Sequence, residues 1–215
     1  MQTNLWLSLI CLLAVLCSCG SNEIVNGPIK LTYDDQMRLK VCNSAEGADE
    51  YYQEFIAPDL MITDKGLIED WKFSGIKKSV SEKGTTYILT GKGAISGNEI
   101  TKVTTITALK DFPGMLEIST EFINDGSSSV TVKGLEVNRV RVAVNDGVWG
   151  FQPTSSERRE DWVQPVVEKF HKENYTGMND SDYGGGIPMV TLWRRDAGIS
   201  IGLAEPQLKL VTMPT

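Results

Sequence analysis

The sequence predicts an all-β protein, an antiparallel β-sandwich, and three observations carry that prediction. Apolar and polar residues alternate with period two in several separate stretches, most cleanly at Leu116, Ile118, Thr120 and Phe122. No window of about twelve residues holds a 3.6-residue apolar period of the kind a helix needs. Gly/Asn/Asp turn signals, such as Asn124-Asp125-Gly126-Ser127 and Asp146-Gly147, break the chain into segments of roughly 8 to 15 residues, the spacing of a sandwich.

The first residues stand apart. Leu5 to Leu16 is an apolar run, too short to cross a bilayer comfortably and of the length of a signal-peptide core. Leu16-Cys17-Ser18-Cys19 follows, and Leu, two small residues and Cys resembles a bacterial lipobox with Cys19 as the acylated residue. Met1-Gln2-Thr3-Asn4 carries no Lys or Arg, which departs from the usual basic start. Residues 1–18 are therefore expected to be a lipoprotein signal peptide. A cleaved secretory signal and an uncleaved anchor are the alternatives. Residues 19–27, polar and Gly-containing, are expected to be a tether, and 28–215 the sandwich domain. An acylated Cys19 would hold the chain on a membrane of the cell envelope, periplasmic or cell-surface.

Along the domain, Ile29, Leu31 and Tyr33 alternate with polar partners, as do Met37, Leu39 and Val41, which predicts a hairpin around Asp34-Asp35. Residues 45–57 are acidic and Tyr-rich and read as a loop or short helical turn. Leu60-Met61-Ile62 reads as a short strand. Thr85 to Ile95 and Glu99 to Leu109 read as two strands, with Gly91, Gly93 and Gly97 marking turns and bulges. Val130, Val132, Leu135 and Val137 resume the alternation, then Val140, Val142 and Val144. Met189 to Trp193, Ile199 to Leu203 and Leu208 to Val211 complete the set.

Composition narrows the function classes. With 215 residues the chain suits one domain with a real core. A net charge of -7 without any basic run argues against nucleic acid as a partner. Three of the four Cys lie within the first 20 residues, which leaves Cys42 alone in the body and no framework for disulfides or zinc. The single His171 has no His or Cys companion at ligand spacing, so no metal or cofactor is expected.

The densest chemistry lies between Trp149 and Glu205. Trp149, Trp162 and Trp193 fall here, with Glu157-Arg158-Arg159-Glu160-Asp161 and Arg194-Arg195-Asp196. Aromatic rings can cover the C–H faces of sugars, while Arg forks and carboxylates suit vicinal hydroxyls. The plainer readings are core Trp residues and a solvated salt-bridged loop of little energetic weight. Asp180-Ser181-Asp182-Tyr183-Gly184-Gly185-Gly186 has a D-x-D start, but it lacks the third ligand and distal Glu of a calcium loop. Asn174-Tyr175-Thr176 and Asn179-Asp180-Ser181 match the glycosylation sequon, a chance match if the lipobox is bacterial. No Gly-x-Ser-x-Gly and no His-Glu-x-x-His occurs. Acids are plentiful, but sequence spacing nominates no pair for glycoside hydrolysis.

Asp161-Trp162-Val163-Gln164-Pro165, Asn174 through Gly186-Ile187-Pro188, and Trp193-Arg194-Arg195-Asp196-Ala197-Gly198-Ile199-Ser200-Ile201-Gly202 with Glu205 resemble glycoside hydrolase family 36, the melibiase-type α-galactosidases. The resemblance covers about a quarter of the chain; the stretch before Trp149 agrees in character only. It implies an N-terminal, supersandwich-like β-domain that packs on a (β/α)8 barrel. The two catalytic Asp residues of the family lie on that barrel, at the ends of its strands. No strand–helix alternation for a barrel is present in this sequence, so no catalytic residue is carried over. What the resemblance implies for this chain is a set of substrate-binding candidates, Asp161, Trp162, Asp182, Tyr183, Trp193 and Arg194, facing a glycan, with the barrel as a missing partner. The alternative is a stand-alone carbohydrate-binding surface lipoprotein without catalysis.

Overall fold

A computed structural model describes residues 22–43, 58–139, 147–152, 162–167, 175–176, 189–195, 198–204 and 211–212. The signal segment, Cys19, the acidic stretch 45–57 and the alternation at Val140 to Val144 lie outside the described residues. Those residues form antiparallel sheets without a helix, the sandwich-like all-β architecture expected. No helix among them is long and apolar enough to cross a membrane.

The largest sheet runs β6 (Lys72–Val80), β7 (Gly84–Ile95), β8 (Asn98–Leu109) and β9 (Leu116–Asn124), in that spatial order. Its inward face follows period two: Leu89, Gly91 and Gly93 on β7 stand opposite Thr104, Lys102 and Ile100 on β8. A second sheet, β1 (Glu23–Asn26), β2 (Ile29–Tyr33) and β3 (Leu39–Asn43), supplies Ile24, Leu31, Leu39 and Val41 to the same core. A third, β10 (Val132–Glu136), β4 (Leu60–Thr63) and β5 (Gly66–Ile68), adds Met61 and Ile68. Burying apolar side chains of this size contributes roughly 1.5–3 kcal/mol each before entropy is counted.

Three features differ from the sequence reading, each for a physical reason. Residues 23–26, expected in the tether, form β1. Ile24 alternates with Glu23 and Val25 and is completely buried, and Tyr33 N–H donates to the Asn22 carbonyl at 3.1 Å, so the domain begins before residue 28. Gly91 does stand at a bulge, paired with Phe73 where the β6 register shifts, but Gly93 is neither turn nor bulge. They lie inside β7, where a Cβ at 91 would sit 2.1 Å from the Met37 sulfur and one at 93 within 3.0 Å of the Trp71 ring. Only hydrogen fits beneath those side chains. Gly97 does occupy a turn, at φ 82°. The strand β6 was not anticipated, because its register shifts between Phe73 and Gly75 and breaks the alternation. It is also an edge strand, lined by Lys72, Lys77 and Lys78, and edges carry charge to discourage pairing with other chains.

The hairpin at Asp34 is built as expected. One Asp34 carboxylate oxygen accepts the backbone N–H of Gln36 at 3.0 Å and of Arg38 at 2.8 Å, and the other meets Arg38 Nε at 2.5 Å. That holds Met37 at φ 57° with its side chain buried against Gly91. Asn26 plays a similar part at the opposite end. Its amide donates to the carbonyls of Leu109, Phe112 and Met115 at 3.1, 3.1 and 2.7 Å, pinning the β8–β9 connection to β1.

Among the described residues, one ion pair lies in the core. Lys102 Nζ lies 2.6 Å from Asp59 Oδ2, with side chains only 1% and 7% exposed. Asn138 N–H donates to the other Asp59 oxygen at 3.0 Å, and Trp71 Nε1–H donates to the Asp59 carbonyl at 2.7 Å. The ammonium also stands 5.9 Å from the Trp71 ring centroid, within cation–π range. Lys102 and Asn138 thus meet the buried Asp59 carboxylate, and Trp71 its backbone carbonyl.

Candidate functional site

The Trp-rich region folds as a further sheet, ordered β12 (Val163–Pro165), β11 (Trp149–Phe151), β14 (Met189–Trp193) and β15 (Gly198–Gly202). Between them in sequence lies β13 (Tyr175–Thr176), which pairs with β16 (Val211–Thr212). A turn at Gly147, φ 89°, launches β11, and Val148 and Gln152 at its two ends are buried. The β11–β12 pairing is extended by Gln152 N–H to the Trp162 carbonyl and Val166 N–H to the Val148 carbonyl, both at 2.9 Å.

Register decides what each face carries. Trp149 stands opposite Pro165 on one side and Trp193 on the other, and Trp193 stands opposite Gly198. Directly paired residues point the same way, so both Trp side chains leave from one face. Phe151, Val163, Thr191 and Ser200 make the next row on that face. Trp149 is 42% exposed and Val163 43%, while Val190 on the opposite face is buried and Ile199 packs against the main core. The sheet therefore turns Trp149, Trp193 and Phe151 to one face, with Val163 beside them, and Val190 and Ile199 to the other. A core Trp behaves otherwise: Trp71 is completely buried and its indole N–H is satisfied within the protein.

Gly198 belongs to this arrangement. A Cβ there would meet the Trp193 Cβ at 2.9 Å, so the missing side chain leaves room beside the second Trp. Trp162 sits one strand further out, its ring edge-on to Phe151 with centroids 6.4 Å apart and an interplanar angle of 76°. Such a contact fixes the orientation of both rings. Beyond the rings, Thr191 and Ser200 bring their hydroxyls to 2.9 Å across the β14–β15 pair.

Of the six substrate-binding candidates, Trp162, Trp193 and Arg194 are placed in this sheet or next to it, Arg194 half-buried directly after β14. Asp161, Asp182 and Tyr183 lie outside the described residues, as does His171. The sheet brings Trp193 together with Trp149 and sets Trp162 against Phe151. Phe151, Thr191 and Ser200 were not singled out from the sequence. Their signal was the period-two step from Trp149 to Phe151 and from Trp193 back to Thr191. Among the described residues no group of three or more His, Cys, Asp or Glu could hold a metal ion.

No protein-family model matches the chain, and no curated protein matches it.

Proposed function

We propose that this chain is the N-terminal, non-catalytic sandwich domain of an α-galactosidase-like glycoside hydrolase, anchored through an acylated Cys19, and that its outward Trp149–Trp193 face lies against a glycan. The observation that carries the reading is the half-exposed Trp149 set directly opposite Trp193, on a sheet whose other face is committed to packing. Two indoles leaving one face from paired strand positions offer apolar surface to the C–H side of a pyranose. The sugar hydroxyls at the ring edge stay in contact with water and with polar neighbours. Specific hydrogen bonds orient the ring, while stacking excludes water and supplies the affinity.

No hydrolytic step is assigned to the described residues. On this reading the reacting carboxylates belong to a (β/α)8 barrel, as the family resemblance implies, and the sandwich contributes one wall of the site. The test is calorimetric titration of the full chain with α-galactosides, wild type against Trp149→Ala and Trp193→Ala. Each variant is expected to lose at least about tenfold in affinity, or ~1.4 kcal/mol, with the thermal midpoint little changed. Equal affinities in all three proteins, or no binding by any, would remove the reading.

A further inference from the structure

The outward face of the β11–β14–β15 region extends past the two Trp residues. One row along β14, Thr191 stands opposite Ser200 of β15 and opposite Phe151 of β11, on the same face as Trp193. The Thr191 and Ser200 hydroxyls lie 2.9 Å apart at the exposed surface. One of them donates to the other. The pair then keeps one O–H proton and several lone pairs for an outside group. A sugar hydroxyl, itself both donor and acceptor, needs that combination. The Phe151 ring, held edge-on by Trp162, borders the same row. Strand geometry sets this row about 6.7 Å from the Trp149–Trp193 row, an offset on the scale of one sugar ring.

Resting on the carbohydrate reading above, we propose that Phe151, Thr191 and Ser200 form a second subsite, so that the face takes a glycan of at least two units running along β14. The first unit stacks on Trp149 and Trp193. The second is bounded by Phe151 and hydrogen-bonded by the hydroxyl pair. A cross-strand Thr–Ser pair can also serve the sheet alone, as a modest contribution to pairing. That role would move stability and leave ligand preference untouched.

The experiment is calorimetric titration of the full chain with galactose and with the α-1,6-linked galactosylglucose disaccharide. Wild type is expected to bind the disaccharide about three- to tenfold more tightly than galactose, the worth of one or two neutral hydrogen bonds. In Thr191→Val/Ser200→Ala that preference should vanish while galactose affinity holds. Ser200→Ala alone, at an exposed position, should lose part of it and guards against misfolding of the double variant. A wild type that binds both sugars equally, or variants that keep the preference, would overturn the second subsite and leave the Trp platform standing. Failure of wild type to bind either sugar would overturn both.

Discussion

Replacing Asp59 by Asn removes one charge and almost no volume. The amide oxygen still accepts from Asn138 N–H, and the Trp71 bond to the Asp59 backbone carbonyl is untouched. What is lost is the counter-charge 2.6 Å from an ammonium that is 1% exposed. An orphaned buried charge of this kind costs about 3–5 kcal/mol. For a domain of this size each kcal/mol moves the midpoint by about 2–4 °C, so Asp59→Asn should lower it by roughly 6–20 °C. Adding Lys102→Met should restore most of that loss, because a neutral, well-filled site is often as stable as the ion pair it replaces. The assay is a double-mutant cycle by urea unfolding, with coupling of at least about 2 kcal/mol expected between the two sites. A single-variant cost under about 1 kcal/mol, or additive effects in the double variant, would refute the view that this pair is fully withdrawn from water.

Gly93→Ala forces a methyl to 2.8 Å from Ile68 Cγ2 and 3.0 Å from the Trp71 ring, and should cost about 1–3 kcal/mol in urea unfolding, whereas Gly75→Ala, with open space around it, should cost little. Burial pushes the Tyr33 phenol above its ordinary value of 10.0. The folded state therefore holds that proton more tightly, and the stability it adds is complete below about pH 10 and lost as pH rises through the folded value. Tyr33→Phe should flatten the alkaline fall in unfolding midpoint, and an unchanged alkaline profile would contradict the assignment. Cys19→Ser should move the chain from the detergent phase to the aqueous phase on phase partitioning and abolish fatty-acid labelling; a variant that stays membrane-bound would refute the lipid anchor.

The strands most legible in the sequence are those with one buried face and clean turns. The strand from Leu116 alternates without interruption into Asn124-Asp125-Gly126, and the Asp34 hairpin announces itself through a carboxylate able to hold its own backbone. The edge strand Lys72–Val80 was hidden because a bulge shifts its phase and lysines occupy its surface. The tight fit at Gly91 and Gly93 was not legible, since a sequence cannot show which large side chain will lie across a strand. Met37 and Trp71, 54 and 22 positions away, decide that. At the candidate site, the Trp residues were visible as composition, but the Trp149–Trp193 pairing depends on register between strands some 40 residues apart. The Asp59–Lys102 pair was equally out of reach: nothing local distinguishes a Lys in Thr101-Lys102-Val103 from one on the surface. Tertiary pairing sets these features, and local propensity carries no trace of them.

The glycan-facing role of the Trp149–Trp193 face is tested most directly by indole N–H resonances during titration with an α-galactoside. Trp149 and Trp193 should shift and saturate together. Trp71, completely buried with its N–H bonded to Asp59, should stay still and so report that the fold is undisturbed. Indoles at 149 and 193 that do not move at saturating sugar, or a Trp71 signal that moves with them, would contradict the account.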